Sequence, residues 1–182
     1  MKHSTKNFLN NALIYGIYLG SISIVLTVIY YLFDLSMFNW VFSIINMVIS
    51  ITVSSIFIVM AIKKYRVGFL DGNIKYLQCV LIGFIVLLVS GILTSIFTYI
   101  LYHLIDPDFM KKQLELFIEK MQSYNMSEEQ LDKIIERTKE GMDSQGQLKS
   151  VLIYVPIFAA VLSLIISIFV RKKDKTFESN FR

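Results

Sequence analysis

Asp, Glu, Lys and Arg are missing from four long stretches of this 182-residue chain, residues 7–33, 35–62, 76–105 and 150–170. Each stretch reaches the roughly 20 apolar residues that a helix needs to cross a bilayer at about 1.5 Å per residue. A soluble domain of this size carries its apolar residues in periodic stripes, and uninterrupted runs exclude that class. Hydrocarbon supplies no water to backbone polar groups, so each run is expected to be helical throughout. Cysteine is nearly absent too. Cys79 alone cannot form a disulfide within the chain or build a thiolate metal cluster there, and at the start of the third run it reads as a small packing residue. The two histidines, His3 and His103, are expected on opposite sides of the membrane. No H-E-x-x-H, G-x-S-x-G, Walker or Rossmann phrase occurs. No enzyme, metal or cofactor is therefore expected. The runs also lack the buried charge on which ion and proton pathways depend, which argues against a pump or proton-coupled transporter.

What is present agrees with a membrane protein. Hydrophobic residues make up 55% of the chain and the mean hydropathy is +0.60. A net charge of +4 with a pI near 9.1 would suggest nucleic acid in a soluble protein. Here no nucleic-acid partner is expected, because the placement of the charges serves topology. Lys2 and Lys6, then Lys63, Lys64, Arg66 and Lys75, then Arg171, Lys172, Lys173, Lys175 and Arg182 all fall on one side of the four spans. The other side has the short turn around Asp34, without Lys or Arg, and the segment 106–149, with seven basic and ten acidic residues. Basic residues near span ends stay in the cytoplasm. Both termini are thus expected in the cytoplasm and segment 106–149 outside, in a cytoplasmic (inner) membrane. The first run is too long for the apolar core of a signal peptide and no small-x-small site follows it, so a retained span is expected.

The expected fold is all-α: a single membrane domain over the whole chain, built as a four-transmembrane-helix bundle. Its spans lie at about 8–33, 38–62, 76–105 and 150–170, with an extracytoplasmic helical hairpin over 107–145. The turn from Phe33 to Trp40 is tight enough to make spans one and two antiparallel neighbours. Trp40 and the Tyr30–Tyr31 pair fit the aromatic belt, while Lys63, Lys64 and Arg66 snorkel to the opposite interface. Gly68, Asp71, Gly72 and Asn73 form the next turn. The third run is long for a bilayer and turns polar from Thr94 to His103, so it tilts or projects. Asp106-Pro107-Asp108 ends it and starts a new helix, with Pro in the first turn and acid near the positive dipole end. Leu114, Phe117, Ile118 and Met121 form one helical stripe. Ser127 and Gln130 resemble a capping box, and Leu131, Ile134, Ile135, Thr138 and Met142 form a second stripe. Gly141, Ser144 and Gly146 then loosen the chain. The two stripes either pack on each other or bind a partner.

Several of these phrases carry a resemblance. They are Lys64-Tyr65-Arg66 with its glycine-containing turn and Gly83, Ile105-Asp106-Pro107-Asp108-Phe109-Met110 leading into Gln113 to Tyr124, Met126-Ser127-Glu128-Glu129-Gln130, and the closing Arg171-Lys172-Lys173. The pattern resembles the uncharacterised four-span membrane proteins grouped as domain of unknown function 4199, found chiefly in Bacteroidota. It covers nearly the whole chain and departs at Asp71-Gly72, where the family usually has paired glycines. The resemblance implies the same topology and brings no activity, substrate or cofactor.

Several features remain. Gly16-x-x-x-Gly20, flanked by Tyr15 and Tyr18, lets helix backbones approach closely, either at a dimer seam or against another span of the same chain. Ala159, Ser163 and Ser167 form a similar small-residue face on span four. Asn46, Ser50 and Ser54 form a polar stripe on span two, which serves interhelical hydrogen bonding or a polar path. Pro156 frees a carbonyl in span four and bends it. His103 and Asp106 lie close together, with an interfacial cap as the expected role of His103. Two function classes fit these residues. One is a non-enzymatic accessory, assembly or interaction subunit, whose partners are the lipid bilayer and a protein met through the outer hairpin or by self-association. The other is a small transporter or channel component, acting as an oligomer through the Asn46 stripe.

Overall fold

The computed structural model describes residues 2–35, 39–70, 72–122, 128–142 and 144–170. The described residues are helical, with no strand among them. The six α-helices are α1 (Lys2–Leu32), α2 (Trp40–Phe69), α3 (Tyr76–Ile100), α4 (Pro107–Gln122), α5 (Glu128–Met142) and α6 (Ser144–Val170), and a π-helical turn, Leu101–Ile105, closes α3. Among the described residues four segments are long and apolar enough to cross a membrane: Lys6–Leu32, Trp40–Phe69, Tyr76–Ile105 and Val151–Val170. The chain is an all-α, multi-pass membrane protein. Ser36, Met37, Phe38, Asp71, Tyr124 to Ser127 and the basic tail from Arg171 lie outside the described residues.

Three helix limits differ from the expected ones. The first helix begins at Lys2, ahead of the expected span at 8. The second does not stop at Ile62 but continues through the basic residues to Phe69. Its reason is Tyr65, which is only 2% exposed and meets the Phe8 ring edge-on at 5.2 Å. Gly68 is thus helical, and the chain turns one step later, where the Leu70 and Gly72 N–H groups both donate to the Arg66 carbonyl and Gly72 takes φ +94°. That positive φ suits glycine at a helix end. The sixth helix is already running at Ser144 and includes Gly146, so the chain does not loosen there as expected.

The helix α3 is central. It packs against α1, α6 and α2, and the main core joins Ala12 and Leu19 of α1, Ile58 and Ile62 of α2, Ile82 and Val86 of α3, and Ala159 and Ile166 of α6. Lipid tails are as apolar as leucine, so close backbone approach, rather than hydrophobic exclusion, favours association here. Glycines permit that approach. A Cβ on Gly16 would sit 2.8 Å from the Val89 Cβ and 3.1 Å from the Val86 carbonyl, and one on Gly20 would sit 3.0 Å from Leu93. A Cβ on Gly83 would meet Ser163 at 2.9 Å and Ile58 at 3.2 Å, and one on Gly91 would meet Val155 at 2.4 Å.

Packing is unequal along the bundle axis. The buried residues of α2 are Ser54, at its middle, and Ile58, Ala61, Ile62 and Tyr65 in the half away from α4 and α5. There Asn11, 8% exposed, donates from Nδ2 to the Ala61 carbonyl at 3.0 Å, tying α1 to α2. Toward the α4–α5 end α2 turns Val41, Ile44, Ile45, Met47 and Val48 outward.

At that end the π turn lets the Asp106 N–H reach the Leu101 carbonyl at 2.9 Å. Asp106 then caps α4: its Oδ1 accepts from the Phe109 N–H at 3.0 Å and its Oδ2 from the Tyr31 hydroxyl at 2.9 Å. Phe109 is buried between Tyr102, stacked at 5.4 Å, and Tyr31, edge-on at 5.1 Å. Lys112 pairs with Asp34, which occupies left-handed backbone space at φ +51°. Together these contacts latch α4 onto the ends of α1 and α3. Beyond the latch, α5 touches both α4 and α6, and the residues Leu114, Phe117 and Ile118 of α4 and Leu131, Ile134 and Ile135 of α5 are half-buried.

Two measurements test this account. Gly83→Ala should cost about 1–3 kcal/mol by overpacking, whereas Gly68→Ala, with nothing within 4 Å of its Cβ, should be neutral or gain up to about 1 kcal/mol of helix propensity. Thermal unfolding in detergent, followed by circular dichroism, reads the difference, and equal midpoints would remove the close-approach argument. Asp106→Ala should loosen the start of α4 by roughly 1–2 kcal/mol, seen as faster amide exchange in its first turn with the α1–α3–α6 core unchanged.

Candidate functional site

Three helices carry hydrogen-bonding side chains at four-residue spacing on faces that converge. On α1 they are Ser23 and Thr27, on α2 Asn46, Ser50 and Ser54, and on α3 Ser90, Thr94 and Thr98. All of them line one cavity of about 780 Å³. It occupies the half of the bundle where α2 stands away from α3, with Leu87, Ser54 and Ser90 at its floor. Ser54 and Ser90 are 9% and 6% exposed. Tyr30 and Phe42, edge-on at 5.1 Å, join α1 to α2 along its other end, where Tyr102 also reaches it. On α6, Tyr154, Val155 and Phe158 complete the wall.

No Asp, Glu, Lys or Arg lines this space. Its polar character comes wholly from hydroxyl groups and one amide. Thr27 satisfies its own donor on the Ser23 carbonyl at 2.9 Å, a common device for hydroxyls in membrane helices. The Tyr30 hydroxyl and Thr94 Oγ1 are buried and have no hydrogen-bond partner. A buried unmet hydroxyl costs about 1–3 kcal/mol; these two border the cavity, while Ser167 Oγ, also unpartnered, lies in the packed face of α6.

Below the floor the bundle is closed. Ile58, Ala61, Ile62, Cys79, Ile82 and Val86 are inaccessible to solvent, and the Asn11–Ala61 bond crosses the same layer. The cavity is therefore blind, open toward one half of the bilayer and sealed toward the other.

The residues singled out from the sequence divide between two places. Asn46, Ser50 and Ser54 line the cavity. Gly16 and Gly20 face α3, and Ala159, Ser163 and Ser167 are all 0% exposed, with Ser163 against Gly83. These five pack helices away from the cavity wall. In the sequence Tyr30 reads only as part of the aromatic belt and Thr94 and Thr98 only as the polar outer end of span three, and Ser90 is not marked, although Ser90-x-x-x-Thr94-x-x-x-Thr98 repeats the spacing of the α2 stripe. Nothing in its local spacing marks Asn11, and Tyr65 reads only as part of the Lys64-Tyr65-Arg66 phrase, not as a core residue.

A second, smaller cavity of about 430 Å³ lies beside the latch, lined by Tyr31, Asp34, Asp106, Asp108, Phe109 and Lys112. Each of its carboxylates already has a partner: Lys112 for Asp34, Tyr31 and the Phe109 N–H for Asp106, and Lys111 at 2.8 Å for Asp108. The Lys111 ammonium, by hydrogen bond and charge, holds the exposed Asp108 carboxyl below its ordinary range. His103 stacks on Tyr99 at 4.4 Å, while Asp106 turns to Tyr31 and α4, so the two do not act as a couple. Among the described residues no three His, Cys, Asp or Glu side chains converge as a metal site.

The family model described as "Protein of unknown function (DUF4199)" matches residues 14–172. No curated protein and no solved structure matches the chain. The matched stretch takes in the first span from Ile14 onward, the other three spans whole, the latch phrase at Asp106 and the residues that line the cavity, and the chain belongs to the DUF4199 family of proteins of unknown function.

Proposed function

We propose that this integral membrane protein is a non-enzymatic accessory, assembly or interaction subunit of the cytoplasmic membrane. Its termini lie in the cytoplasm, and α4 and α5 lie outside. The orientation rests on the placement of Lys and Arg, which crowd the ends opposite α4 and α5. The single observation that carries the subunit reading is the lopsided packing of the bundle. The half near the termini is sealed, whereas the half near α4 and α5 leaves a face of α2 and a blind cavity open. The latch holds α4 in a fixed pose on the same end, so the exposed features share one side. A protein partner would meet them there.

The second reading, a small transporter or channel component, is favoured by one feature: Asn46, Ser50 and Ser54 line the cavity. The sealed layer beneath weighs against it, since a path through one copy would have to open Ile58, Ile62 and Ile82. An oligomer would be needed to enclose another route.

A cysteine at Glu119, exposed on α4, in a Cys79→Ala background should react with an impermeant maleimide in intact cells. Reaction only after the cells are broken would reverse the orientation. Extraction in mild detergent and affinity purification should bring down a stoichiometric heterologous protein. A lone homo-oligomer whose flux in proteoliposomes changes with Asn46→Leu would replace the subunit reading with the transporter one.

A further inference from the structure

The cavity between α2 and α6 has a chemistry that names its occupant more closely than either reading above. We propose that it binds the uncharged, hydroxyl-bearing headgroup of a neutral lipid, a monoacylglycerol-like amphiphile, whose chain leaves sideways into the bilayer. This site holds whichever side of the membrane faces the cytoplasm, and it leaves to a protein partner the exposed face of α2 rather than the cavity.

Depth is the first argument. Ser50 lies about 15 Å along α2 from Trp40, at 1.5 Å per residue, and hydrocarbon is about 30 Å thick in all. The polar wall therefore runs from the interface near Tyr30 and Tyr102 to near the membrane centre. Its mouth lies between Met47 of α2 and Tyr154 and Phe158 of α6, which are 55%, 68% and 47% exposed. All three sit within spans, so the mouth faces lipid, and a ligand can enter from the leaflet itself.

Chemistry is the second argument. The Tyr30 hydroxyl and Thr94 Oγ1 are buried, unpartnered and on the wall. Hydrocarbon chains cannot satisfy them, but a glycerol hydroxyl or ester carbonyl can. Asn46 supplies both a donor and an acceptor from the facing helix. A phosphate is disfavoured, because no Lys or Arg lines the space and an uncompensated charge there would be strongly penalised. The volume also fits, since small-ligand sites span roughly 300–1,000 Å³.

The test uses the full-length protein in nanodiscs and a monoacylglycerol bearing a diazirine next to its glycerol ester. Illumination should label the peptides that hold Asn46 to Ser54 and Ser90 to Thr98, saturably. Monoolein should compete, whereas lysophosphatidic acid, the same scaffold with a phosphate, should compete poorly. The double variant Tyr30→Phe with Thr94→Val keeps side-chain shape and removes the two unmet hydroxyls. Labelling should fall about tenfold, as for two lost neutral hydrogen bonds, while the thermal midpoint without added lipid holds or rises. Ser50→Ala on the deep part of the α2 wall provides a second, independent reduction, and Val67→Ala at the far end should change nothing. Undiminished labelling in the double variant would overturn the proposal. So would equal competition by lysophosphatidic acid, competition by glycerol alone, or a second protein chain cross-linked into the cavity.

Discussion

Close backbone approach to α3 is the constraint on which the bundle depends. Within lipid there is no gain from merely bringing apolar surfaces together, so helices associate where their backbones can come near enough for dense dispersion contact. Gly16 and Gly20 bring α1 to α3, Gly83 admits both Ser163 of α6 and Ile58 of α2, and Gly91 admits Val155. Each contact pairs a missing Cβ with a neighbour that fills its place. The same logic explains where packing stops. The contact of α2 with α3 at Gly83 has no counterpart nearer the α4–α5 end, where α3 presents Ser90 and Thr94 and the cavity begins.

Two halves with different chemistry result. One is a tight apolar layer, closed by Tyr65 against Phe8 and by the Asn11 amide on the Ala61 carbonyl. The other is a hydroxyl-rich space built without a single charge. Serine and threonine are inexpensive in a membrane helix when they bond back to their own backbone, as Thr27 does. Tyr30 and Thr94 do not take that route. Their hydroxyls border the cavity, whereas Ser167 Oγ, also without a partner, is packed into the α6 face away from it.

The latch shows how one extra residue in a turn redirects a chain. Regular helical geometry after Ile100 would have presented Asp106 on a different face. The π turn advances it, so that one carboxylate caps α4 and accepts from Tyr31 at once. Phe109 then sits between two aromatic rings, and α4 leaves the end of the bundle in a defined direction. Pro107 at the first helical position costs nothing, since its absent N–H would have had no partner.

Uncharged runs longer than a bilayer is thick dictate helical spans, because backbone groups in hydrocarbon have no other way to be satisfied. The four spans, the start of α4 at Asp106-Pro107 and the polar face of α2 were accordingly legible one helix at a time. The C-terminal end of α2 and the start of α6 were not. Lys63 and Arg66 read as loop, yet Tyr65 found a ring to pack on and carried the helix to Phe69. Nor was the cavity, since Ser23, Asn46 and Thr94 are unremarkable on separate helices and acquire meaning only when they face one space. Local sequence determines which segments are helices, because that choice is made against lipid by each segment alone. Which faces meet, and where a gap remains, is decided by the angles and separations that glycine contacts allow between helices distant in the chain.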